Sequence, residues 1–338
     1  MGGETENIKV MAEEVSNKIF SRFGWKKTGP TNENFTCQQP DKHNKNKNPS
    51  HPVDVVFQYD DPYTIQRHYL LTDLKSYSKG SIQAGSIKDA IKELSKAIDC
   101  ANISQEWQQR YVNEELQWSV YGLLFVYNHD GGFDTHFNKF LSGINSSSLF
   151  IPMNSKIFVF GPENISYLLN ILNDIDVERG KGNLPLCHGT NKIDLWYPDF
   201  INKISAKKIG HMAPVELLMG PWQVIQFQTI IDNKLSRGVY IYYNGKGESP
   251  KEFEFLIDFS FKNQLVENDC IISIRMPNAI GVARQNFEQA IDNIYRHFHS
   301  FSEVKNRLEQ FRFTYIETVI TKFSTIEIGM EARNGKIL

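Results

Sequence analysis

The chain has 338 residues, 41% of them hydrophobic and 22% charged, with a formal net charge of −2. That balance is the one of a soluble globular protein, and the length exceeds one ordinary core, so two domains, or one domain with a large addition, are expected. A near-neutral total excludes a global basic field of the kind that coats nucleic acid. Basic charge is instead local: from Lys18 to Lys47 there are seven basic residues against two acids, Glu33 and Asp41. The longest strongly apolar run, YGLLFVY at 121–127, is too short to span a bilayer, and the N-terminus lacks the apolar segment of a signal peptide. It begins MGGETE, and Glu6 breaks the myristoylation pattern. The four cysteines, at 37, 100, 187 and 270, are far apart, with no CxxC and no zinc-ligand spacing. A reduced, cytoplasmic protein is the expectation.

In chain order, Ile8, Met11, Val15, Ile19 and Phe23 recur at helical intervals and Gly24 follows as a stop, which predicts a helix over 7–23. Residues 38–52 are polar, with Pro and Asn, and read as a loop. VDVVFQY at 53–59 and HYLLTDLKSY at 68–77 read as two strands of a hairpin, turning at DDP. Ser86 with Asp89 is a capping signal for a helix whose stripe is Ile87, Ile91, Leu94 and Ile98. Residues 120–128 and 156–160 read as strands, and a helix follows with Pro162 in its first turn. Residues 178–192 read as a loop. WQVIQFQTII, GVYIYYN, CIISIRM and FRFTYIETVI predict strands of a second sheet, with a helix at 282–298. EFEFLIDFSF alternates like a strand, yet Ser249-Pro250-Lys251-Glu252 ahead of it is a helix start, so a helix is predicted.

Asp73 and Lys75 stand on one face of an apolar strand, a costly placement unless something compensates it. Asp54 lies nineteen residues upstream on the partner strand of the hairpin, where antiparallel pairing can bring the two carboxylates together. Two carboxylates alone repel; a divalent cation between them removes the conflict. This arrangement resembles the PD-(D/E)XK nuclease superfamily, with its restriction-endonuclease-like fold. Pro52-Val53-Asp54 is similar to the first half of the motif, with Val53 intervening, and Asp73-Leu74-Lys75 to the second. The first helix, AEEVSNKIFSRFGW at 12–25, is similar to the start of many members, with Glu13 as the matching acid and Glu14 as the alternative. The resemblance covers about residues 8–130. It implies metal-dependent hydrolysis of a phosphodiester, in DNA ahead of RNA. It also implies Mg²⁺ or Mn²⁺ held by Asp54, Asp73, Glu13 and the Leu74 carbonyl, with Lys75 serving the nucleophile or the transition state.

Other groups compete less well. Lys42, Lys45 and Lys47 either contact phosphates or form a solvated loop. His129, Asp130, Asp134 and His136 end a strand rather than line helices, and Cys187-His188 lacks identifiable partners. GKGN at 180–183 and NGKGES at 244–249 do not match a phosphate loop. Arg275, Arg284 and Arg296 read as solvated arginines ahead of a nucleic-acid surface.

The sequence therefore predicts a mixed α/β protein with a restriction-endonuclease-like domain at 1–205 and a second α/β domain at 206–338 for recognition, sensing or assembly. The activity expected is that of a metal-dependent endonuclease, in bacterial restriction or anti-phage defence by analogy of fold. Nucleic acid is the expected partner, with a regulatory protein or a second copy restraining the site, and no membrane. The alternative is an inactive nuclease fold kept as a binding or assembly module.

Overall fold

The computed structural model describes residues 2–44, 47, 49–64, 66–113, 116–186, 193–199, 208–231, 234–266, 270–297 and 302–319. It is mixed α/β and divides into two compact units, one reaching Ser166 and the other spanning Tyr167–Val319. On the helix from Pro162, Tyr167 and Asp174 bond Tyr242 and Arg275 of the second sheet.

The first unit opens with helix α1 (Gly2–Arg22). Its buried face runs through Ala12, Ser16, Ile19, Phe20 and Phe23; it keeps Ile19 and Phe23 of the expected stripe but passes one residue beyond Met11 and Val15, which are half-buried. Phe20 sets this face, because its ring stacks on Trp25 at 4.4 Å and meets Phe57 and Phe125 edge-on. Strands β1 (Lys26–Thr28) and β2 (Glu33–Thr36) follow. The expected loop at 38–52 holds a helical turn, α2 (Pro40–His43), and strand β3 (Ser50–Val53), which pairs with β2. The hairpin of β4 (Val55–Asp60) and β5 (Arg67–Tyr77) forms as expected.

Helix α3 (Ala84–Ala101) begins two residues before the Ser86 signal, yet buries the expected stripe of Ile87, Ile91, Leu94 and Ile98. A short helix, α4 (Gln105–Tyr111), capped by Ser104, leads to β6 (Trp118–Asn128). This α3–α4 crossover lets β6 run parallel to β5. Gly122 of β6 is needed where α3 crosses, since a Cβ there would lie 3.0 Å from the Leu94 side chain. After α5 (Asn138–Leu141), strand β7 (Ile157–Phe160) completes the sheet order β1-β4-β5-β6-β7.

The β2–β3 ribbon folds back against the end of α3. Cys37 and Cys100, far apart in sequence and without a recognisable ligand spacing, consequently have their sulfurs 3.7 Å apart.

The second unit takes most of α6 (Pro162–Gly180) and a sheet ordered β13-β12-β11-β10-β8-β9. Its strands are β8 (Asp194–Trp196), β9 (Ile209–Gly210), β10 (Trp222–Ile231), β11 (Lys234–Tyr243), β12 (Ile271–Met276) and β13 (Phe311–Tyr315). α7 (Val215–Leu218) precedes β10, and α8 (Pro250–Lys262), α9 (Ala283–His297) and α10 (Ser302–Leu308) lie among the later strands. The ambiguous EFEFLIDFSF is helical in α8: Ser249 and Glu252 form a capping box, and Phe253, Leu256 and Ile257 are buried at helical spacing while Phe255 is exposed. Among the described residues no helix is long and apolar enough to cross a membrane.

Candidate active site

β4 and β5 are rich in β-branched and aromatic residues, and their middles are almost wholly buried. Their antiparallel register ends at Val55 opposite Thr72, and one further step sets Asp54 opposite Asp73. Asp54 has left the ladder. Its carbonyl accepts the Asn32 N–H at 2.9 Å, and its side chain turns back so that Oδ2 accepts the Leu74 N–H at 2.8 Å. The carboxylate thus fills the ladder position that the backbone of β4 has vacated. In an extended strand the N–H and C=O of one residue point the same way. The Leu74 carbonyl is therefore directed to the Asp54 side, beyond the last β4 pair.

Lys75 shares a face of β5 with Asp73, and its Nζ donates to Asp73 Oδ1 at 2.6 Å. About a fifth of the Asp73 side chain (21%) and a third of Lys75 (32%) stay open to solvent. Burial pushes the Asp73 carboxyl up, Lys75 pulls it down, and the neighbouring Asp54 pushes it up again; the balance lies at about 6, against an ordinary 3.8. Burial works against the charge on Lys75, but Asp73 and then Asp54 outweigh it and hold its pKa above the ordinary value.

Among the described contacts, both carboxylates act on the Lys75 ammonium. Asp54, Asp73 and the Leu74 carbonyl are hard oxygen donors that converge on one strand edge. That donor set fits Mg²⁺ or Mn²⁺, which take carboxylate and carbonyl oxygens and keep several waters.

Glu13 is placed differently. On α1 it is half-buried, beside the buried Ala12, and its carboxylate is engaged by Lys27 Nζ of β1. Glu14 is exposed. The structure therefore brings Asp54, Asp73, Leu74 and Lys75 together, while the described contacts tie Glu13 to Lys27. Sequence reasoning passed over Lys27, because β1 is only three residues long and carries no strand pattern.

The competing groups resolve into local structure. Asp130 accepts the Lys79 and Gly132 N–H groups, Asp134 pairs with Lys79, and His136 with Glu163, so this group is a set of turn and surface contacts. Lys42 is held by Asp99 at 2.6 Å. Lys45 and Cys187-His188 lie outside the described residues. The 244–249 glycines lead into the α8 capping box, where Gly247 and Glu248 N–H groups donate to Glu252. Asn183, at the end of the other glycine stretch, donates to Glu178. Arg275 is not solvated: it is buried, bidentate on Asp174 at 2.6 and 2.7 Å, and 3.3 Å from Glu178. Arg284 lies over the Phe313 and Tyr315 rings, and Arg296 is in the last turn of α9.

A helix, a hairpin with an aspartate on each strand, a lysine two residues beyond the second, and a helical crossover to a parallel strand together define the N-terminal part as a PD-(D/E)XK domain. Residues 1–164 match the family model described as the GAPS4 protein PD-(D/E)XK nuclease domain. The match covers just under half of the chain and lies within the first unit. No curated protein matches the chain.

Proposed function

We propose that the N-terminal unit is a metal-dependent endonuclease, acting on DNA ahead of RNA, with its site at Asp54, Asp73 and Lys75. The observation that carries this reading is the hairpin register, which sets Asp54 beside Asp73 with Lys75 on the same strand face. Asp54, Asp73 and the Leu74 carbonyl would hold one divalent cation, which supplies a water of lowered pKa and charge for the phosphoryl oxygens. Lys75, on the same strand face and 2.6 Å from Asp73, would serve the nucleophile or the charge that builds in the transition state. Glu13 would assist from α1 only if Lys27 releases it.

The second unit would target or restrain this activity, alone, with a protein partner or through a second copy, because an unregulated nuclease damages its host. A role in anti-phage defence in the cytoplasm is the reading that the fold-level analogy supports. The test is incubation with plasmid, linear DNA, single-stranded DNA and RNA, with Mg²⁺ or Mn²⁺. Wild type should cut at least one substrate, and Asp73→Ala and Lys75→Ala should each lower the rate by about 100-fold or more. Cleavage that survives both substitutions would overturn the assignment. Binding without cleavage by wild type would favour a non-catalytic module.

A further inference from the structure

The first unit holds a second convergence of ligating side chains, of a different chemistry. Cys37 follows β2, His43 ends α2, His51 lies on β3 and Cys100 closes α3. All four are buried, and one ligand atom from each lies within 4.8 Å of all the others. Cys37 Sγ is 3.7 Å from Cys100 Sγ, and His43 Nδ1 is 3.4 Å from Cys37 Sγ and 3.5 Å from Cys100 Sγ. Zinc bonds of about 2.3 Å to sulfur and about 2.0–2.1 Å to nitrogen place neighbouring ligands of a tetrahedron about 3.4–3.8 Å apart. The three measured edges fall in that range. We propose that Cys37, His43, His51 and Cys100 bind one Zn²⁺ as a closed structural site.

The surroundings suit that ion. His43 presents Nδ1 to the cluster and turns Nε2 to Asp99 Oδ2 at 3.0 Å, the carboxylate–histidine arrangement that fixes a ligand imidazole. The backbone N–H of Gln38 donates to Cys100 Sγ at 3.2 Å. Two thiolates and two neutral imidazoles around Zn²⁺ carry no net charge, so the filled site can be buried without an uncompensated ion. The Asp54–Asp73 site offers hard oxygens and belongs to another class of cation. Four protein ligands leave no open position for substrate, so the role is structural. The site joins the β2–β3 ribbon and α2 to α3. The strand that carries His51 ends at Val53, and Asp54 follows it directly.

The sequence conceals this site because its ligands come from four separate elements between positions 37 and 100. No short spacing announces them.

The test uses the full chain, purified under reducing conditions with any histidine tag removed. Elemental analysis should find about one zinc per chain after dialysis against a weak chelator. Asp73→Ala and Cys270→Ser should keep it, which separates this ion from one held at the acidic site. Cys37→Ser with Cys100→Ser should lose it. Asp99→Asn should weaken zinc by about 10–100-fold in a chelator competition. Co²⁺ exchanged into folded wild type gives a reading independent of the folding of the cysteine variants: intense visible bands of a tetrahedral ion, with thiolate charge transfer in the near ultraviolet. Three results would overturn the proposal. They are a folded wild type that takes up neither zinc nor cobalt, a Cys37–Cys100 disulfide in the intact mass, or zinc retained when both cysteines are replaced.

Discussion

Asp54→Asn isolates the electrostatic core of the acidic site. The amide keeps an oxygen where Oδ2 now accepts the Leu74 N–H, and it removes the charge beside Asp73. Asp73 has an ordinary pKa of 3.8 and stands at about 6 in the fold. A carboxyl raised on folding stabilises the fold below its unfolded pKa, and that contribution is lost as pH rises through its folded pKa. Over the window from about pH 4 to about pH 6, two units correspond to about 3 kcal/mol. Burial is the first cause of the rise and Asp54 adds to it, so removing one like charge should return part of that total, of the order of 1–2 kcal/mol. In metal-free protein, Asp54→Asn should therefore gain about 1–2 kcal/mol relative to wild type between pH 4.5 and pH 7.5. Urea unfolding in EDTA, followed by tryptophan fluorescence across that range, measures it, and groups common to both proteins cancel in the difference. If the acidic site holds Mg²⁺ as proposed, wild type should gain stability with Mg²⁺ near neutral pH and the same substitution should reduce that gain. A wild-type-minus-variant difference that does not change with pH would refute the coupling of the two carboxylates.

Two further predictions concern the second unit. Arg275→Met leaves the Asp174 carboxylate without its cation in the interior beneath Tyr240, whose ring lies 4.5 Å from the guanidinium, while Glu178 keeps Lys181 and Asn183; a loss of about 3–5 kcal/mol should appear as a lower urea midpoint. An unchanged midpoint would show that the cluster contributes nothing net. Gly238 sits opposite Phe227, and a Cβ there would lie 2.3 Å from the Phe227 ring. Gly238→Ala should cost about 1–3 kcal/mol in thermal or urea unfolding, and adding Phe227→Leu should recover part of it. Equal stability of the single and double variants would refute the steric account.

Much of this protein is decided by local pattern. Ile87, Ile91, Leu94 and Ile98 can only be buried together on a helix, and the capping box at Ser249 and Glu252 outweighs a strand-like alternation, because it satisfies orphan N–H groups at the helix start. The hairpin and its Asp54, Asp73 and Lys75 were legible for a similar reason: strand periodicity fixes faces, and a nineteen-residue offset across one turn fixes who meets whom. Short elements were not legible. β1, β2 and α2 are held by their neighbours rather than by their own periodicity, and so Lys27, the partner of Glu13, carried no signal. Arg275 could not be told from a surface arginine, because Asp174 and Glu178 reach it from a helix about a hundred residues earlier in the chain.

The sequence by itself determined the mixed α/β class and the hairpin that carries the acidic motif. Tertiary structure alone decided which ion pairs are buried and that Cys37, His43, His51 and Cys100 meet. The physical reason is range: periodicity and caps act within a few residues, whereas a cluster drawn from four elements exists only once the ribbon has packed on α3.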